Sequence, residues 1–282
     1  MANRASLQRQ IEALAEVEGD VRIIRLQQVH ELAAANECSI REVELAAMET
    51  GIVPWRYLRN LGTVGLEGQA KLLRATVAVV GLGGLGGYVT EALARMGIGR
   101  LILIDGDVFE EHNLNRQLLS GESTLGTGKV QAARRRVAEI NGAVEVTGHA
   151  VRLTRENLPR LLEGAEVVVD GLDRLPTRLL LQAGAQALGI PMVHGSIAGF
   201  LGQVMTILPG DPGLRSLYGE QNELPEQGLE AQLGTPAATP MAVAAWEAQE
   251  VVKILLGRRE LLRQRLLLMD MESGTVESLQ LG

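Results

Sequence analysis

The amino-acid sequence predicts an α/β fold of the Rossmann-like kind, a mostly parallel sheet with helices on both faces, preceded by an N-terminal helical extension. From about Ala75 onward, short β-branched runs alternate with helical stretches, and such alternation builds a parallel sheet covered by helices. The run Thr76 to Val80 passes directly into Gly81-Leu82-Gly83-Gly84-Leu85-Gly86 and then a helix, a unit that aims backbone N–H groups at phosphate oxygens. A second run ends on Asp105, at the distance where a carboxylate accepts hydrogen bonds from ribose hydroxyls.

The leading segment, residues 1–52, reads as helical. Apolar residues recur at three- and four-residue steps through Ile11, Leu14 and Val17, and again through Ile24, Leu26, Val29 and Leu32. Ser39 and Glu42 form a capping box that opens a further helix, closed by Gly51 and Pro54. Residues 32–48 also have the helix–turn–helix layout of DNA-binding modules. Glu42, Glu44 and Glu49 against Arg41 would repel phosphate, so a docking or packing arm is the preferred reading and Cys38 is expected to be a buried helix-end residue.

Residues 53–282 form the main domain. Strands are expected over 75–80, 101–104, 144–147, 167–170, 191–194, 202–208 and 266–270. Helices are expected over 88–96, 129–140, 178–188 and 239–256. The stripe Met241, Val243, Ala244, Val251, Val252, Leu255 of the last helix should face the core or a second subunit. Residues 209–236, rich in Gly, Pro, Glu and Gln, read as a mobile loop over a site.

Composition narrows the function classes. With 282 residues, 46% of them hydrophobic, the chain can bury a large core. Its single cysteine, Cys38, excludes an intramolecular disulfide and cannot supply a structural zinc cage, which suits a reducing cytoplasm. No signal-peptide pattern or membrane-spanning run is present, so a soluble, unexported protein is expected. A net charge of −7 argues against non-specific nucleic-acid binding.

The glycine loop alone leaves NAD, FAD and ATP open, and Asp105, with Asp107 as its competitor, says nucleotide without saying which. The discriminating residues follow. Asn113, Arg116 and Gln117, with Lys129 opening a helix, place two cations and several amide donors near the phosphates, an arrangement suited to a triphosphate losing pyrophosphate. Gly126-Thr127-Gly128-Lys129 is not a Walker loop, because Val130 stands where Ser or Thr should hold Mg²⁺. Asp173, just beyond the strand at 167–170, is placed to hold Mg²⁺ through oxygen; its competing role is to cap the helix before Pro176.

In this order the glycine loop, Asp105, Asn113 to Gln117, Lys129 and Asp173 resemble the ThiF/MoeB/HesA family of E1-like adenylating enzymes, from about residue 56 to the C-terminus. The resemblance implies that ATP and Mg²⁺ are used to adenylate the C-terminal glycine carboxylate of a small ubiquitin-like sulfur carrier ending in Gly-Gly. It implies ATP contacts from Gly81, Gly83, Gly84, Gly86, Asp105, Asn113, Arg116, Gln117 and Lys129. It further implies Mg²⁺ on Asp173, and a homodimer in which Arg59 reaches the partner's site. The carboxylate arrives ionised and needs no general base, so none of the four histidines is read as catalytic; only His194 merits a test.

Three departures from the family's pattern qualify this. Many relatives hold zinc on two CxxC pairs, but Asp211 to Ser216 occupies the first region without a cysteine, and the tail lacks the second, so zinc is not expected. Many carry an acyl-accepting cysteine before the long helix, yet residues 229–240 contain none, so the chemistry is expected to stop at the adenylate. Arg174 follows the acid where an amide is usual. The alternatives are an enzyme like the dehydratase of a threonylcarbamoyl-modified adenosine on tRNA, and a non-catalytic nucleotide-binding scaffold.

Overall fold

In the computed structural model, which describes residues 4–219 and 228–281, the N-terminal unit departs from the helical reading. Helix α1 (Arg4–Leu14) leads into β1 (Glu16–Glu18) and β2 (Val21–Ile24), an antiparallel hairpin; α2 (Leu26–Ala35), α3 (Ile40–Glu49) and β3 (Val53–Pro54) follow. Strand β3 pairs parallel to β2, so three helices carry a small three-stranded sheet. The reason is local. Gly19 takes a φ of 60° in the turn, and Val21, Ile23 and Ile24 are β-branched residues that pack readily on a pleated surface. Val17 is 74% exposed, and Leu14 and Leu26 are also exposed, so the apolar spacing there does not mark a buried face.

The expected cap holds: the Ser39 backbone N–H donates to Glu42 Oε2 at 2.7 Å, and the Glu42 N–H donates to Ser39 Oγ at 3.2 Å. Cys38 lies half-buried in the α2–α3 connection rather than buried at a helix end. Helix α3 buries Glu44, which accepts a hydrogen bond from the Tyr57 hydroxyl at 3.0 Å and pairs with Arg56 at 3.2 Å. Asn141 donates to the Tyr57 hydroxyl at 2.9 Å and to the Ala94 carbonyl at 3.0 Å. One buried cluster therefore keys the N-terminal unit to the main domain. Burial pushes the Glu44 carboxyl up to about 7, with Arg56 and Tyr57 opposing.

In the main domain the elements run α4 (Leu61–Arg74), β4 (Thr76–Val80), α5 (Gly86–Met96), β5 (Arg100–Ile104), α6 (Lys129–Ile140), β6 (Glu145–His149), α7 (Leu158–Leu161), β7 (Val167–Asp170), α8 (Leu175–Ala187), β8 (Met192–Ala198) and β9 (Leu201–Ile207). The short helices α9 (Arg215–Tyr218) and α10 (Glu230–Leu233) precede α11 (Ala238–Leu255), β10 (Arg265–Asp270) and β11 (Thr275–Gln280). The eight strands are ordered β11-β10-β9-β8-β7-β4-β5-β6, with β4 to β8 parallel and β9 to β11 antiparallel additions. Val77, Val79, Leu101 and Leu103 point to the core face covered by α5, α6 and α11, whereas Ala78, Val80, Ile102 and Ile104 point to the face covered by α7 and α8. That is why the central strands read as unbroken apolar runs. Strand β11 was not anticipated, because it is exposed along its length and carries no alternation.

Of residues 209–236, residues 220–227 lie outside the described residues. The preceding flank is anchored rather than loose: Arg263 makes a two-point ion pair with Asp211, Gln182 donates to the Pro212 carbonyl at 3.0 Å, and the Leu214 N–H donates to Gln182 Oε1 at 2.7 Å.

Helix α11 buries Glu247 completely, in space that Gly195 leaves open, and neither carboxylate oxygen has a hydrogen-bond partner among the described residues. Burial raises its pKa well above the ordinary range, Asp170 adds to the rise, and Arg178 opposes it. A carboxyl with a raised folded pKa supports the fold fully below its unfolded pKa and loses that support as pH rises, because only the unfolded chain releases the proton. Glu247→Gln, which does not titrate, is expected to raise the melting temperature by about 2 °C or more near pH 8 and by less near pH 5. Thermal unfolding at the two pH values measures this; an equal or reversed difference would refute the assignment.

Candidate functional site

Strand order reverses between β4 and β7, since β5 and β6 continue on one side of β4 while β7 and β8 lie on the other. The chain ends leaving β4 and β7 therefore diverge and open a crevice at their carboxyl ends, where α/β sheets bind ligands. The crevice floor is backbone on backbone. A Cβ on Gly81, whose φ is 87°, would lie 2.5 Å from the Gly171 carbonyl oxygen. A Cβ on Gly86 or on Gly171 would collide with the Gly81 carbonyl oxygen. Gly83 and Gly84 have more room: their Cβ positions lie 3.6 Å from Gln117 Nε2 and 3.6 Å from Pro240. Gly81 and Gly86 are thus demanded by the fold itself.

Asp105 secures the loop from the neighbouring strand. Its carboxylate accepts from the Leu82 N–H at 2.7 Å and the Asp107 N–H at 2.8 Å. Burial raises its pKa, with Lys129 the leading opposing influence. Lys129, only 8% exposed at the start of α6, sits 3.6 Å from Asp107, which also pairs with Arg152 at 3.5 Å. Asp107 therefore flanks the lysine as well as shaping the turn.

Asn113 is buried and organises the turn between β5 and α6. Its Oδ1 accepts from the Glu110 N–H at 3.0 Å, and its carbonyl accepts from the N–H groups of Arg116 at 3.1 Å and Gln117 at 2.9 Å. It thereby aims both following side chains. Gln117 is buried, and its Oε1 has no hydrogen-bond partner among the described residues. Arg116, half-buried, donates to the His112 carbonyl and to Asn115 Oδ1, each at 2.8 Å. Burial lowers its pKa and the Asp173 charge pushes it back up, so the two side chains share one electrostatic field.

Asp173 is exposed and also lines a cavity of about 370 Å³ bounded by Leu175, Arg178, Ile197, Gln203, Tyr218 and Leu268. The structure thus gathers the glycine loop, Asp105, Asn113, Arg116, Gln117, Lys129 and Asp173 around one crevice. Arg59 is not part of it: the residue is exposed on the 3-10 turn Trp55–Asn60, with no ion-pair partner among the described residues. Among those residues no three His, Cys, Asp or Glu side chains converge as a metal cage.

Sequence reasoning singled out His194 but missed its buried partners beside the crevice. Asp170 Oδ2 bonds His194 Nδ1 at 2.7 Å and lies 3.9 Å from Arg178 Nε, while Arg178 donates to the Leu172 carbonyl at 3.1 and 2.6 Å. The available signal was an acid closing an otherwise apolar strand.

Residues 57–282 match the ThiF family. The SAMP-activating enzyme E1 of Haloferax volcanii is 39% identical over 228 residues, covering 79% of this chain and 83% of that protein. The sulfur carrier protein adenylyltransferase of Thermus thermophilus is 38% identical over 223 residues, covering 76% and 82%. The adenylyltransferase and sulfurtransferase MOCS3 of Aedes aegypti is 37% identical, and there the chain spans 52% of the relative's length. In fold the chain is similar to MccB in complex with N-formylated MccA, with a TM-score of 0.68 at 21% identity over 99% of this chain and 88% of that one.

The crevice floor separates two kinds of glycine. Gly86→Ala is expected to cost about 3 kcal/mol or more, because backbone atoms must move, whereas Gly84→Ala should stay within about 1 kcal/mol. Denaturant unfolding measures both; equal costs would refute the distinction.

Proposed function

Because the chain belongs to the ThiF family and is an adenylyltransferase, we propose that it uses ATP to adenylate the C-terminal glycine carboxylate of a small ubiquitin-like sulfur carrier. One observation carries the reading: Asp173 faces both the Arg116 cation and a cavity able to receive an extended peptide end. The nucleotide lies along Gly81 to Gly86 with its ribose on Asp105 and its phosphates against Asn113, Arg116, Gln117 and Lys129.

A carboxylate is a weak nucleophile and is repelled by a triphosphate. Arg116 and Lys129 offset that repulsion and stabilise the charge that collects on the departing oxygen. A carrier carboxylate oxygen bonds to the α-phosphorus as the bridging oxygen to the β-phosphorus leaves with pyrophosphate, and no proton has to move. Asp173 offers one exposed oxygen ligand at a strand end, which suits Mg²⁺, an ion that takes one or two carboxylates and completes its shell with phosphates and water. Bound there, it would screen the phosphate charge.

The acyl group stays on AMP until an external acceptor takes it. Supporting this, the only cysteine, Cys38, lies in the N-terminal unit, and burial, aided by Glu42, raises its thiol pKa and so depletes the reactive thiolate. The exposed guanidinium of Arg59, with no ion-pair partner among the described residues, suits a homodimer in which it enters the partner's site. The reaction belongs in the cytoplasm in this reading; no helix among the described residues is long and apolar enough to cross a membrane.

ATP–pyrophosphate exchange tests the proposal. Exchange is expected only when Mg²⁺ and a ubiquitin-like protein ending in Gly-Gly are present, and a bound nucleotide without exchange would refute it. Asp173→Ala and Arg116→Ala should each lose about a hundredfold or more in kcat while the protein remains folded. Cys38→Ser should stay within about twofold of the parent, and an inactive variant would restore a covalent stage.

A further inference from the structure

A continuous polar chain runs from the cavity wall to the loop that bears Asp173. The Gln203 amide donates to the Tyr218 hydroxyl at 2.6 Å and meets His194 Nε2 at 3.4 Å. His194 Nδ1 is 2.7 Å from Asp170 Oδ2, and since a carboxylate only accepts, the proton sits on Nδ1 and Nε2 is free to accept from Gln203. Asp170 Oδ1 then accepts from the Leu172 N–H at 3.1 Å, while Arg178 grips the Leu172 carbonyl from the other side at 2.6 Å. Both backbone polar groups of the residue before Asp173 are thus fixed by this chain.

The two ends of the chain differ in access. Tyr218, Gln203 and Arg178 line the cavity, whereas His194 and Asp170 are completely buried and cannot touch an occupant. Tyr218 sits on α9, a helix of four residues. Register makes the link possible, since Asp170 and His194 are paired across the parallel β7–β8 ladder and their side chains share the α8 face.

We propose that His194 is a positioning residue, which holds the Leu172-Asp173 loop through Asp170 and makes the placement of Asp173 depend on the contacts that Tyr218 and Gln203 make in the cavity. This rests on the reading of Asp173 as the magnesium-holding acid. The consequence is selectivity by arrival: a carrier tail lying against Tyr218 and Gln203 braces the same chain that aims Asp173, so nucleotide chemistry waits for the carboxylate.

Two readouts on the full-length protein test this. In the absence of ATP, amide hydrogen exchange over residues 171–175 is expected to accelerate about tenfold in His194→Ala and measurably in Tyr218→Phe, and His194→Asn, which keeps a donor toward Asp170, should restore most of the protection. In pyrophosphate exchange, His194→Ala should lower kcat about tenfold while leaving KM for ATP within about twofold, as expected for a misplaced rather than a missing group. Wild-type loop protection together with wild-type kcat in His194→Ala overturns the inference, as does a kcat loss without a change in the loop. If His194→Ala does not fold, Tyr218→Phe carries the same test: unchanged protection and unchanged kinetics in it overturn the proposal. Full activity in Asp173→Ala would instead remove the functional reading on which the inference stands.

Discussion

The contact between the backbone leaving β4 and the backbone leaving β7 governs the rest of the molecule. Gly81, Gly86 and Gly171 meet there with no room for a side chain, and the close approach brings the glycine loop and the Asp173 loop to the same crevice. Asp105 reinforces it from β5 by binding the Leu82 N–H. Every charged group of the site is hung on one of these three strand ends or on the segment that runs from β5 into the start of α6. The geometry is therefore set by backbone packing, and the side chains are free to carry charge.

Charge is distributed with a consistent logic. Arg116 and Lys129 face the crevice, and each has a carboxylate in its field, Asp173 for the first and Asp105 with Asp107 for the second. Those acids keep two cations tolerable in a partly buried space before any phosphate is present. Elsewhere, burial works against ionisation: Glu247 is held toward its neutral form, and Glu44 is pushed up to about 7.

The N-terminal unit is connected to this arrangement through Tyr57. Its ring fills space that a side chain at Gly97 would occupy, and its hydroxyl ties Glu44 of α3 to Asn141 at the end of α6. The 3-10 turn that carries Tyr57 also carries Arg59, so the orientation of that exposed guanidinium follows from how the unit docks. An appendage in the sequence is, in the fold, a brace for the segment entering the main domain.

The sequence alone determined the strand–glycine–helix unit, the parallel core and the residues around the crevice, because β-branched runs, glycine spacing and strand-end acids are local signals. Asn113, Arg116, Gln117, Lys129 and Asp173 could be placed near one another because the strands and helices that flank them have strong periodicity. The hairpin around Gly19 was misread because its apolar residues satisfy helical and strand spacing alike over so few positions. Strand β11 carries no apolar alternation to read. What only the tertiary structure decided are pairings between distant strands and helices: Gly81 against Gly171, Asp170 with His194 and Arg178, Glu44 with Tyr57, and Glu247 beneath Gly195. Register and strand order create these contacts, and neither is written in any short stretch of chain, since each depends on which segments neighbour one another after the sheet has formed.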